Sequence, residues 1–134
     1  MSSDEIFVPG WPKPKGYANG RAGTGRVLHV AGQIGWDERG QFGDADLVAQ
    51  FAKSLDNVLA VVKAGGGRPS DIAEMTIFVT DIVAYRAARK ELGPIWRTRM
   101  GVHFPAMALV GTTALVEPEA LIEIQAVAYL GDPP

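Results

Sequence analysis

The chain has 134 residues, of which 47% are apolar and 21% charged, with a formal net charge of −2 and no cysteine. That length suggests one domain over residues 1–134, with a core that stands without staples, and the composition is that of a soluble globular protein. The charge argues against a nucleic-acid surface, the missing thiols exclude disulfides and thiolate chemistry, and no apolar run reaches the ~20 residues of a membrane span.

The first residues, MSSDEIFVPGW, lack the basic flank and apolar core of a signal peptide, so a cytoplasmic protein is expected. Residues 9–16 hold three prolines and predict an irregular entry segment, because proline lacks the amide a strand interior requires. Residues 17–35 predict a hairpin around Gly23-Thr24-Gly25. Its second strand groups Leu28, Val30, Gly32 and Ile34 on one face, with Val27, His29, Ala31 and Gln33 on the other. A polar loop over 36–43 follows.

Residues 46–63 carry Leu47, Val48, Phe51, Leu55, Val58, Leu59 and Val62 at three- and four-residue steps, the apolar stripe of a helix. Asp44 or Asp46 caps it, Gly65-Gly66-Gly67 ends it, and Gln50, Lys53, Asp56 and Lys63 form its solvated face. Residues 72–80 alternate, with Ala73, Met75, Ile77 and Val79 opposite Glu74, Thr76, Phe78 and Thr80. Thr80 or Asp81 caps a second helix through about Leu92, where Gly93-Pro94 predicts a kink or a fresh short helix. Two further strands follow, near 106–114 and 121–129. The last sets Ile122, Ile124, Ala126 and Ala128 against Glu123, Gln125, Val127 and Tyr129.

The order β-β-α-β-α-β-β predicts an α+β fold, a mixed sheet with both helices on one face. The other sheet face would carry Thr76, Phe78, Glu123, Gln125 and His29, too polar for a dry core and too extended to leave bare. A second copy packed against it is the simplest cover, which predicts a homo-oligomer with Glu123 near a cleft between subunits. A small-molecule pocket fits such a seam.

Five segments carry a resemblance to a known family. They are Ala31-Gly32-Gln33-Ile34, Ser54-Leu55-Asp56-Asn57-Val58, Thr76-Ile77-Phe78-Val79-Thr80-Asp81, Phe104-Pro105-Ala106 and Ile122-Glu123-Ile124-Gln125-Ala126-Val127-Ala128. Each is short, but in this order and spacing the chain resembles the RidA/YjgF/L-PSP family over nearly its whole length. The resemblance implies a chorismate-mutase-like protomer, a homotrimer and ligand pockets at the subunit interfaces. The active branch hydrolyses reactive imines and enamines such as 2-aminoacrylate to 2-keto acids and ammonia. No cofactor or metal is implied, since water is the co-reactant, and neither a nucleic acid nor a membrane is an expected partner. An aminomuconate-like compound is a further substrate class by family analogy.

The family's Pro-Ala-Arg element, whose Arg grips the substrate carboxylate, reads Pro105-Ala106-Met107 here. Its water-activating Glu matches Glu123, its strand-end Gly matches Gly32 and its early pocket Tyr matches Tyr17. An Asn of the active branch falls near Arg89, and Leu109 lies on the strand that would position the ligand. Val116-Glu117-Pro118 replaces a tighter Leu-Pro turn, lengthening the step from Met107 to Glu123.

Arg holds a carboxylate through two charge-assisted hydrogen bonds, and Met offers neither charge nor donor. Losing one such bond costs about 1.5–3 kcal/mol, or ten- to a hundredfold in affinity. A small 2-imino acid then needs another cation, and Arg89, Arg97, Arg99 and His103 are the candidates. Otherwise Met107 makes an apolar, adaptable pocket for a larger or less charged ligand.

Each candidate also has a plainer reading. Glu123 is either a water-orienting catalytic group or a carboxylate satisfied by a neighbour's donor. Met107 reads first as pocket lining, His103 as a structural or exposed loop residue and His29 as an interface residue. Two histidines without an acidic cluster do not make a metal site. The basic run Arg86, Arg89, Lys90, Arg97 and Arg99 reads as a solvated helix face, and Gly65-Gly66-Gly67 without a following Lys-Ser/Thr is a helix stop. Two functions remain, an imine or enamine deaminase and a non-catalytic ligand-binding homologue. Endoribonuclease activity fits poorly with the acidic balance.

Overall fold

Two aspartates start the helices. Asp46 and Asp81 stand in extended backbone, and their carboxylates accept the amides of Ala49 at 2.9 Å and Ala84 at 3.0 Å. Each satisfies a donor the first turn leaves orphaned. The computed structural model describes residues 3–131. Along the chain its elements are β1 (Ser3–Ile6), β2 (Gly20–Gly23), β3 (Arg26–Ile34), α1 (Leu47–Ala64), a 3₁₀ turn (Pro69–Asp71), β4 (Ile72–Val79), α2 (Ile82–Met100), β5 (Ala106–Gly111) and β6 (Ile122–Leu130).

The main sheet has the order β3-β6-β4-β5. β6 runs antiparallel to both neighbours, while β4 and β5 are parallel and joined through α2. It is the mixed α+β sheet that the alternation and helix stripes predict. Val30, Met75, Ile77, Val79, Ile122 and Ile124 line one sheet face and are buried against Phe51, Leu55 and Val58 of α1 and Leu92, Trp96 and Met100 of α2. Both helices therefore cover the same face. Among the described residues no helix is long and apolar enough to cross a membrane.

Three local expectations are revised. The segments flanking Gly23-Thr24-Gly25 do not form a hairpin. β2 pairs with β1, a strand the sequence reading did not anticipate, and β3 pairs with β6 from Arg26↔Leu130 onward. β3 therefore stands at the edge of the main sheet, with β6 as its neighbour, while β2 belongs to a separate two-stranded sheet.

Gly93-Pro94 does not break α2, which runs unbroken to Met100. Leu92, Trp96 and Met100 are spaced by four and buried on both sides of Pro94, so packing keeps the stripe in phase despite the missing amide.

Gln50 is not on a solvated face. It is 2% exposed, its amide donates to the carbonyls of Ala45 and Glu119, and its Oε1 accepts the Leu121 amide at 2.8 Å. The chain between β5 and β6 folds over the start of α1, and Gln50 is the hook that holds it just ahead of Glu123. Gly35 makes this approach feasible, because a Cβ there would lie 2.7 Å from the Gln50 Cα.

Candidate functional site

The candidate residues fall on two sides of the sheet. Paired residues on neighbouring strands share a face. Met107 pairs with Met75 and Leu109 with Ile77, which places both on the helix-covered face. Glu123 pairs with Phe78, which places it on the open face.

Gly32 joins Glu123 through a β-bulge. Val30 opposes Ala126 and Gln33 opposes Ile124, so Ala31 and Gly32 together face Gln125. The extra residue turns Gly32 away from the core side, where simple alternation had grouped it with Leu28 and Val30. A Cβ on Gly32 would fall 2.6 Å from Glu123 Oε2, so the carboxylate lies directly over the glycine. Glu123 is half-buried, and Arg99–Asp56 is the only ion pair among the described residues. The Glu123 carboxylate is therefore unpaired and sits against bare backbone, an arrangement suited to holding a water and taking its proton.

Met107 lines a cleft of about 450 Å³ between the sheet and α2. Ile77, Phe51 and Leu92 contribute to its apolar lining, and Trp96 and Phe104 stack at 5.7 Å with their rings 3° from parallel. Lys15, Arg89 and Arg97 bring positive charge, and among the described residues no carboxylate lines the cleft. The Arg97 guanidinium folds back over Gly93, 3.4 Å from where a Cβ would stand. Burial pushes the Tyr85 phenol up, against a smaller opposing pull from Arg89, whose Nε donates to the Arg86 carbonyl at 3.3 Å. Tyr17 is exposed, between Gly16 of the cleft and Ala18, which bridges to Ala106 at the start of β5.

The remaining candidates have structural attachments. Arg99 binds Asp56 through Nε at 2.6 Å and Nη2 at 3.2 Å, tying α2 to α1. His103 Nε2 lies 2.7 Å from the Ile72 carbonyl, and its own carbonyl accepts the Trp96 indole at 3.2 Å. Burial holds the His103 imidazole below the usual value of 6.5, outweighing the backbone bond to Ile72. Leu109 packs against the core. The structure thus gathers Met107, Arg89 and Arg97 in one place and Gly32 and Glu123 in another. Lys15 was missed because a proline-rich entry segment gives no periodicity from which to read its direction.

A mixed sheet of this order with both helices on one face is the chorismate-mutase-like architecture. The family model described as Endoribonuclease L-PSP matches residues 12–130, and the chain belongs to this RidA/YjgF/L-PSP family. The 2-iminobutanoate/2-iminopropanoate deaminase of Escherichia coli K12 is 33% identical over 104 residues, covering 78% of this chain and 80% of that protein. A RutC family protein of Pyrococcus abyssi is 27% identical over 130 residues, 96% of this chain and 98% of its own. Among solved structures, the Rid-family protein YyfB of Yersinia pestis superposes with a TM-score of 0.82 at 31% identity, covering 97% of this chain and 100% of that one. Escherichia coli TdcF with bound serine gives a TM-score of 0.70 at 27% identity, covering 96% and 99%.

Proposed function

We propose that this protein hydrolyses an imine or enamine to a keto compound and ammonia, as a homotrimer whose sites lie between subunits. The observation that carries the reading is the split of the site: within one protomer, the unpaired Glu123 carboxylate and the Met107 cleft lie on opposite sides of the sheet. A working site needs the Gly32–Glu123 corner of one copy to face the cleft of the next. The open sheet face supplies the surface for this. Val110, 42% exposed, and half-buried Thr76 and Phe78 are the sort of side chains that a neighbouring sheet covers. Two relatives support a small ligand bearing a carboxylate, one named as a deaminase of 2-imino acids and one solved with serine bound.

In the reaction, Glu123 orients a water beside Gly32 and takes its proton as the oxygen attacks the C=N carbon. Glu123 passes that proton to the imine nitrogen, giving the carbinolamine, and then moves the hydroxyl proton to the amine as the C–N bond breaks, so ammonia leaves, the carbonyl remains and the carboxylate is restored. An enamine first takes a proton at its β-carbon to become the imine.

A second reading, a ligand-binding homologue without activity, is favoured by one feature. Met107 puts a neutral thioether where the resemblance calls for a carboxylate-gripping Arg. One assay separates the two. 2-Aminoacrylate is generated enzymatically, and ammonia release is followed with and without the protein. The deaminase reading expects acceleration that falls at least about a hundredfold in Glu123→Gln, and a higher rate in Met107→Arg. No acceleration by either the parent chain or Met107→Arg, with 2-aminoacrylate or with imines of larger amino acids, overturns it in favour of the binding module.

A further inference from the structure

The cleft is too large and too apolar for a three-carbon acid alone. Its volume of about 450 Å³ lies within the range that holds drug-sized ligands. Phe51, Ile77, Leu92 and Met107 offer a bound molecule dispersion contacts but no hydrogen bonds. The nearly parallel Trp96–Phe104 pair adds a flat aromatic wall, which favours a planar partner in offset or edge contact. Trp96 cannot readily turn away, because its indole donates to the His103 carbonyl.

The charges around this apolar body share one sign. Lys15, Arg89 and Arg97 line the cleft without an acidic residue among them, and none forms an ion pair with a described residue. Arg99 is tied to Asp56 through two bonds and His103 to the Ile72 carbonyl, whereas Arg89 is held through Nε alone, to the Arg86 carbonyl at 3.3 Å, which leaves its Nη amines for a ligand. Arg89 and Arg97 stand eight residues apart on α2, so they flank one stretch of the helix beside the cleft. An anion brought here meets donors at the helix edge of the cleft, and Met107 leaves the β5 side apolar.

We infer that this cleft binds carboxylates carrying an aryl side chain. The ring lies against Trp96, Phe104 and Met107, and the carboxylate is held by Arg97 and Arg89, with Lys15 adding to the field. Relative to the resemblance, the anchor has moved from β5 to α2, and the vacated side has become the pocket for the ring. This inference rests on the function proposed above only in taking the substrate to be the aryl-bearing 2-imino acid. The recognition itself is independent of turnover.

Titration calorimetry on the intact protein tests it with 3-phenylpropanoate, propanoate and the neutral 3-phenylpropan-1-ol. The expected result is 3-phenylpropanoate binding about tenfold or more tighter than either of the other two. Arg89→Ala/Arg97→Ala should erase the advantage of the carboxylate over the alcohol while leaving the alcohol's affinity unchanged. Both positions are exposed on α2, so circular dichroism of the double variant should match the parent. Propanoate binding as tightly as 3-phenylpropanoate overturns the aryl assignment. An unchanged preference for carboxylate in the double variant overturns the arginine anchor.

Release of ammonia from the imine of phenylalanine, made in place by an amino-acid oxidase, reports separately on the reaction. Tight aryl-carboxylate binding without accelerated release upholds this inference and removes the hydrolase reading. Acceleration of the alanine-derived imine alone, without aryl-carboxylate binding, does the reverse.

Discussion

Gly32 and Glu123 occupy a contact in which one methyl group decides the outcome. In Gly32→Ala the new carbon would meet Glu123 Oε2, Cδ and Cγ at 2.6 to 2.9 Å, so the carboxylate must swing aside. Only a partly exposed side chain is displaced, and a bulge position in a strand accepts alanine. The expected outcome is an unfolding midpoint within about 0.5–1 kcal/mol of the parent, with imine hydrolysis reduced about tenfold or more. Activity equal to the parent would detach Glu123's position from the chemistry. His103 gives a second prediction at this scale. Its imidazole titrates below 6.5 in the fold, chiefly through burial, whereas the unfolded chain takes up its proton near 6.5. The unfolded state thus binds more protons in that interval, and stability falls as pH drops from above 6.5 toward the folded value. Urea midpoints should be lower at about pH 5.5 than at about pH 7.5, and His103→Gln should flatten the difference. Motif matching located Gly32 and Glu123 in the sequence, but not their contact, because alternation knows nothing of a bulge. It also left Arg99 and His103 as free candidates, since the partners that occupy them, Asp56 and the Ile72 carbonyl, are 43 and 31 residues away.

Among the elements, α1 shows how a polar residue on a helix is misread. Leu47, Phe51, Leu55, Val58 and Val62 mark the buried stripe correctly because burial against a sheet follows the helical period. Gln50 falls beside that stripe and looks solvated until the β5–β6 connection lies across it. Replacing it with leucine leaves the part-buried Ala45 and Glu119 carbonyls and the Leu121 amide without these bonds. Gln50→Leu should lose roughly 2–4 kcal/mol in a denaturant titration and loosen the start of β6, which carries Glu123. A loss below about 0.5 kcal/mol would show that water takes over those groups. α2 teaches the converse. Gly93-Pro94 is a strong local break signal, yet Leu92, Trp96 and Met100 hold the helix together from outside. That continuity carries Arg89 and Arg97 past the same cleft.

On the scale of the whole molecule, the helix-covered face was legible from period alone. What period could not give was the distribution of the candidate residues between the two faces, because Gly32 reaches Glu123 on the open face only through the bulge in β3. Three protomers of 14.3 kDa are the expected assembly in solution, and a monomer in sedimentation would leave Glu123 without its cleft.

The division of the site has a consequence for mixtures of defective chains. Glu123→Gln spoils one contributor and Arg89→Ala/Arg97→Ala the other, so neither preparation alone should turn over an aryl imine. Unfolded together in equal amounts and refolded, they would form rings in which every hybrid holds one seam built from two undamaged halves. Random reassortment should then rescue about a quarter of the parental rate from two inactive parents. Rescue of this kind cannot arise if each chain carries out the reaction unaided.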